Sequence, residues 1–260
     1  MMSEYPITWA KMPQHAQATL HAYLRDAKKM LKDDVHAIVL YGSLARGDYL
    51  EGRSNMNVLM VFESLTLNIM KHCAKLNSQW SKERIVTPLM FTRQELSSFF
   101  ETFPLEYFEI RDQHIVLAGK DPFPELHIQA RNLRRECERE IRGNLIRVRQ
   151  QFVESKGNSE GIHALLPISL TTVIPCLRGL YRLLGQSPQG TPDIILDRMP
   201  SVLDLDPGAF HEVWLLKRGQ STPGKHDFPN LLGRYLGALS ALINRVEILG
   251  REGRLKEDAP

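Results

Sequence analysis

Gly42 and Ser43 follow a short apolar run and precede a polar turn, in the stretch YGSLARGDYLEGRSNMNVLMVF from Tyr41 to Phe62. A glycine at the exit of a strand lets backbone N–H groups approach a phosphate closely, and a following helix start favours negative charge. The Ser43 hydroxyl adds a donor, and Arg46, three residues on, is placed either to pair with phosphate or to cover the surface. Further along, Asn55 and Asn57 stand two apart at the opening of a second apolar run. Residues two apart on a strand point the same way, so the two amides are expected to share a face. Such a pair offers carbonyl oxygen without charge.

These residues need elements to hold them. HAIVLY (36–41), NVLMVF (57–62), RIVTPLMF (84–91), LEYFEIR (105–111) and HIVLAG (114–119) predict strands, with Pro88 favouring an edge or a bulge and Asp112-Gln113 a polar turn. Helices are predicted over 14–32 and 66–79, and Thr92 with Glu95 forms a capping-box signature for a short helix to about Phe100. After GKDPFPEL (119–126) the patterning changes. Leu126, Ala130, Leu133, Cys137, Ile141, Leu145, Val148 and Phe152 step by threes and fours along one long helix. A second helix is expected over 162–184, kinked or interrupted by Pro167 and Pro175. Shorter helices follow at 193–199 and 207–218, loops at 185–192 and 219–230, and a closing helix at 231–250. The expected architecture is therefore α+β: a mixed sheet flanked by helices over residues 1–122, then a helical bundle over 123–260.

Composition excludes several classes. A chain of 260 residues, 43% hydrophobic and 24% charged, is that of an ordinary globular protein. A net charge of +3 does not by itself argue for nucleic acid. Three separated cysteines, with no CxxC, argue against a disulfide framework or a thiolate zinc site, and a reducing cytoplasm fits them. The first twenty residues hold no apolar core of signal-peptide length, and no membrane span is expected. The arginines of the long helix (Arg131, Arg134, Arg135, Arg139, Arg142, Arg147, Arg149) alternate with glutamates, the pattern of a solvated face.

The extended pattern, apolar strand, Gly-Ser, small-x-Arg-Gly, about eight residues, then polar-x-polar opening a second strand, resembles the signature of the DNA polymerase β-like nucleotidyltransferases. Within that superfamily it is similar to the bacterial small-molecule and antibiotic nucleotidyltransferases. The resemblance covers residues 36–122. It implies that Gly42 and Ser43 bind nucleotide phosphate. It also implies two metal-binding aspartates where this chain has Asn55 and Asn57, and a third acid from a later strand, matched by Glu106 with Glu109 as its rival. On a strand those two glutamates would have opposite parity.

In the active superfamily the two acids hold magnesium ions that bridge the triphosphate. Magnesium wants anionic oxygen, and one unit charge at about 4 Å and an effective dielectric near 20 is worth roughly 4 kcal/mol. Losing two such charges removes most metal affinity. The expectation is a catalytically degenerate shell that binds a nucleotide or a partner without metal-dependent transfer. One alternative is a working transferase using Mg2+ and NTP on a small hydroxylated acceptor, with Glu106 as ligand or base. The other is an interaction or homo-oligomerisation module with an empty cleft.

Overall fold

The computed structural model describes residues 12–123, 128–221, 223–224 and 227–255. The readings that fall on residues 1–11, on Leu126 at the head of the long-helix seam and on parts of the 119–126 and 219–230 loops lie outside the described residues. The chain divides into two compact units, one running to Thr102 and resuming over Glu106–Leu126, the other made of Phe103–Leu105 and the chain from His127 onward.

The first unit is built around a four-stranded sheet. In chain order it holds α1 (Gln14–Leu31), β1 (Val35–Tyr41), α2 (Ser43–Arg46), β2 (Asn57–Phe62), α3 (Leu67–Trp80), β3 (Leu89–Thr92) and α4 (Arg93–Thr102). Then come α5 (Pro104–Arg111), whose first two residues belong to the second unit, and β4 (Ile115–Gly119). The strand order is β3-β2-β1-β4, with β1 antiparallel to both β2 and β4, and β2 parallel to β3. Central strands buried on both faces need apolar residues at both parities. Ile38, Leu40, Val58, Met60 and Phe62 pack with Leu20, Tyr23, Ala27 and Leu31 of α1 and Ile69, Cys73 and Leu76 of α3. Ala37, Val39, Leu59 and Val61, of the other parity, are buried as well.

Two sequence readings change here. Residues 84–91 form no continuous strand: Ile85 makes an isolated bridge to Met56, and β3 begins at Leu89, after Pro88. Proline has no N–H for a ladder, and the strand that follows it is indeed an edge. LEYFEIR is a helix rather than a strand. Pro104 opens α5 at the position where a missing N–H costs nothing, and the buried Glu136 accepts the Leu105 N–H at 2.7 Å. Leu105, Tyr107, Phe108 and Ile110 are all buried, so the helix is apolar on most sides and its sequence carries no clear helical period. The capping box forms as expected: Thr92 N–H donates to Glu95 Oε2 at 2.8 Å and Glu95 N–H donates to Thr92 Oγ1 at 3.2 Å.

The second unit is helical among its described residues: α6 (Ala130–Glu154), α7 (Ser159–Leu183), α8 (Pro192–Asp197), α9 (Met199–Leu203), α10 (Gly208–Arg218) and α11 (Phe228–Arg251). Pro167 and Pro175 do not interrupt α7. An interior proline costs about 3 kcal/mol in an isolated helix, but α7 buries Leu165, Leu166, Leu170, Val173, Ile174, Leu177 and Leu180. Each buried aliphatic side chain returns about 1.5–3 kcal/mol. α7 is also long and apolar enough to cross a membrane by length and composition, yet 61% of its most apolar window is buried inside the protein.

Candidate functional site

The candidate site grows from the end of β1. Gly42 leaves the strand at φ +81°, ψ −155°, a conformation that L side chains rarely adopt. The turn that follows is α2, only four residues long, closed by the Arg46 N–H donating to the Gly42 carbonyl at 3.0 Å. Gly47, at φ +84°, ends it. The N–H groups of Ser43, Leu44 and Ala45 thus precede the first bond of the turn. So short a helix carries little macrodipole, and phosphate recognition here would rest on backbone N–H groups, the Ser43 hydroxyl and Arg46.

The register brings the glycine and one asparagine together. Tyr41 pairs with Asn57 across β1 and β2. A Cβ placed on Gly42 would lie 2.4 Å from Asn57 Nδ2, so the amide packs directly on the glycine Cα. Asn57 is half-buried, whereas Asn55 lies just ahead of β2, beyond the Met56 bridge, and is exposed. By strand parity Asn57 shares its face with Leu59 and Val61, away from α1 and α3. Burial pushes the Tyr41 phenol up to about 12.

Arg46 turns toward carboxylates. Its Nε stands 3.3 Å from Asp48 Oδ1 and its Nη1 3.4 Å from Glu109 Oε2 on α5. The side chains of Arg46, Asp48 and Glu109 are 20%, 9% and 19% exposed. Because 105–111 is helical, Glu106 and Glu109 lie three apart on neighbouring turns, not at opposite strand parity. Glu109 reaches Arg46, while Glu106 sits in the first turn of α5 and is exposed. The sequence reading passed over the Asp48–Arg46–Glu109 constellation. Arg46 and Asp48 are close in sequence, but nothing there announces a partner 63 residues away.

The residues present do not fit a pair of magnesium ions. Asn55 and Asn57 offer neutral amides, the second of them packed on Gly42, and Asp48 is engaged with Arg46. No three His, Cys, Asp or Glu side chains converge among the described residues.

No family model matches the chain. Among solved structures, the chain is similar to spectinomycin adenyltransferase AAD(9) from Enterococcus faecialis, crystallised with ATP and spectinomycin. The TM-score is 0.56 at 12% identity, over 87% of this chain and 99% of that one. The fold is a nucleotidyltransferase fold. In sequence, 82 residues are 29% identical to a protein named "Putative protein adenylyltransferase" from Methanocaldococcus jannaschii, over 30% of this chain and 82% of the relative. The Gly42–Ser43 turn, β2 and α5 are thus parts of a nucleotidyltransferase fold whose second strand opens on the amide of Asn57.

Proposed function

We propose that this protein binds a nucleotide on the Gly42–Ser43 turn of its nucleotidyltransferase fold and does not carry out metal-dependent transfer. In this reading residues 1–122 form the nucleotide-binding domain and 123–260 an accessory helical domain. The observation that carries it is the packing of Asn57 on Gly42: the strand position nearest the phosphate turn holds an uncharged amide. An amide carbonyl lacks the formal charge that a hard divalent ion requires, and roughly 4 kcal/mol per missing charge is about a thousandfold in affinity. Gly42, Ser43 and Arg46 retain the donors that a phosphate needs, and none of them depends on a metal.

A second reading has a specific observation in its favour. The solved structure of similar fold is an adenyltransferase holding ATP and spectinomycin, which supports transfer of an adenylyl group to a small hydroxylated acceptor. That reading needs an acid to serve where the amides stand, and Glu106 and Glu109 on α5 are the candidates.

Calorimetric titration of ATP and GTP, with magnesium and with EDTA, separates the two. The native chain is expected to bind one nucleotide equally well with magnesium or EDTA, and Asn55→Asp/Asn57→Asp to bind more tightly when magnesium is present. Magnesium-dependent binding by the native chain would sink the metal-free reading and favour transfer. Absence of nucleotide binding in either condition would sink both.

A further inference from the structure

We infer that the outer face of α6 is a docking surface for a protein segment that presents carboxylates over one half of its length and aliphatic side chains over the other.

In the sequence the arginines of this helix alternate with glutamates, but on the folded helix the two types part. Arg131, Arg135, Arg142, Ile146, Arg149 and Val153 follow one another at steps of three, four and seven, so they share one face, and every one of them is exposed. The glutamates sit lower. Glu136 is buried, and Glu138 and Glu140 are half-buried, the first against Arg134 and the second against Arg139 and Arg147. Glu154, at the last position of the helix, is the one exposed acid of α6. Arg142 pairs with Glu247 of α11. Arg131 holds only the neutral Gln129, and Arg135 and Arg149 have no carboxylate partner among the described residues.

Neither kind of residue on this face serves the helix itself. The first turn of α6 contains no acid, and Arg131, Arg134 and Arg135 crowd the end where the helix dipole disfavours a cation. Ile146 and Val153 are 53% and 73% exposed. Both are β-branched, which lowers helix propensity, and at that exposure packing within this chain returns little. From Arg131 to Arg142 the face is cationic, and beyond it Ile146 and Val153 alternate with Arg149. The whole row runs about 33 Å at 1.5 Å per residue.

The arrangement selects among anionic partners. Guanidinium pairs with carboxylate or phosphate alike. A nucleic-acid strand would use the arginines, but its bases stack on aromatic rings, and this face has none. An anionic membrane takes up a helix whose basic and apolar residues lie on different sides, the apolar side sinking inward. Here they succeed one another along one side. A helical protein segment with acids through its first half and aliphatic residues through its second, at matching three- and four-residue spacing, meets both parts of the row.

Fluorescence anisotropy tests this with a labelled synthetic helical peptide of about 24 residues, long enough to span the row, with glutamates at four-residue spacing in one half and leucines at three and four in the other. The probes beside it are the same peptide with serine for leucine, an oligouridine of about 20 nucleotides, and phosphatidylserine-containing vesicles. The native chain is expected to bind the glutamate–leucine peptide more tightly than any other probe. Arg135→Glu/Arg149→Glu should weaken it at least about tenfold, as reversed charges repel carboxylates. Ile146→Ser/Val153→Ser should weaken it about tenfold through lost apolar burial. All six positions are exposed, so melting curves of both variants should match the native one; Arg135→Gln/Arg149→Gln, expected to lose about threefold, decides the matter if the glutamate variant fails to fold. Tighter binding of oligouridine or of vesicles overturns the inference in favour of nucleic acid or membrane. It is also overturned if the serine peptide binds as tightly as the leucine one, if the variants bind as the native chain does, or if no peptide binds at concentrations up to about 1 mM.

Discussion

In the helical unit the Tyr235 hydroxyl meets Ser169 Oγ at 2.9 Å, Asn144 Nδ2 donates to the Ser169 carbonyl at 3.1 Å, and Tyr181 donates to the Ile195 carbonyl at 2.7 Å. The buried Arg178 and Glu136 are served in the same way, by the Gly190 carbonyl and the Leu105 N–H. In the sheet unit the pattern is different. Tyr23 Oη, His72 Nδ1, Asn77 Oδ1 and Trp80 Nε1, together with Arg46 Nε and Asp48 Oδ1, are buried atoms without a hydrogen bond, and among the described residues all such atoms lie in this unit. The helical unit spends its polar groups on its own cohesion. The sheet unit leaves several unspent, two of them at the Gly42–Ser43 turn. Native proteins leave few buried polar groups unpaired, and those few call for an explanation.

The contrast can be broken most severely at Glu136. Its carboxylate is 5% exposed and accepts the first free N–H of α5. Glu136→Ala strands that donor and is expected to cost about 2–3 kcal/mol, lowering the melting temperature by about 5–10 °C. Glu136→Gln, which keeps an acceptor, should lose less than half as much. A melting point for Glu136→Ala within about 1 °C of the native value would show that the helical unit does not depend on its polar pairings.

Next in size is an alkaline effect in the sheet unit. Tyr41, raised by burial to about 12 when folded, titrates near 10 when unfolded. Below pH 10 both states are neutral and stability is unaffected. Between about pH 10 and 12 only the unfolded state ionises, so stability falls as pH rises, by about 2 kcal/mol in all. Tyr41→Phe should flatten that part of the melting-temperature profile, and an unchanged slope would contradict the assignment.

The smallest effect is the sharpest comparison. Tyr235→Phe removes a hydroxyl that has a partner and should cost about 1 kcal/mol. Tyr23→Phe removes one that has none, and is expected to be neutral or to stabilise by a few tenths of a kcal/mol, because a desolvated and unpaired group disappears. Equal losses in chemical denaturation would mean that the two units do not differ in this respect.

Local signals were legible where a residue's role depends on its immediate neighbours. Thr92 and Glu95 cap each other across three residues, and Gly42 occupies a backbone region that few other residues adopt. The amphipathic steps of α1 and α6 recur in their buried faces. Where role depends on distant partners, the sequence misled. The apolar residues of LEYFEIR fit a strand as readily as a helix, and the capping carboxylate that favours the helix comes from Glu136, 31 positions from the N–H it accepts. Pro167 and Pro175 suggested a break that the burial of α7 overrides.

What the sequence by itself determined is the nucleotidyltransferase-like α+β pattern, the Gly42–Ser43 turn and the absence of charge at Asn55 and Asn57, since each is a property of residue type and short spacing. Only the tertiary structure decided that Asn57 rests on Gly42, that α5 is a helix, and that Glu109 reaches Arg46. Those facts depend on β-strand register and on side chains from distant parts of the chain meeting in space. No periodicity within a short window encodes such meetings, because their energy comes from packing and desolvation that exist only once the chain has folded.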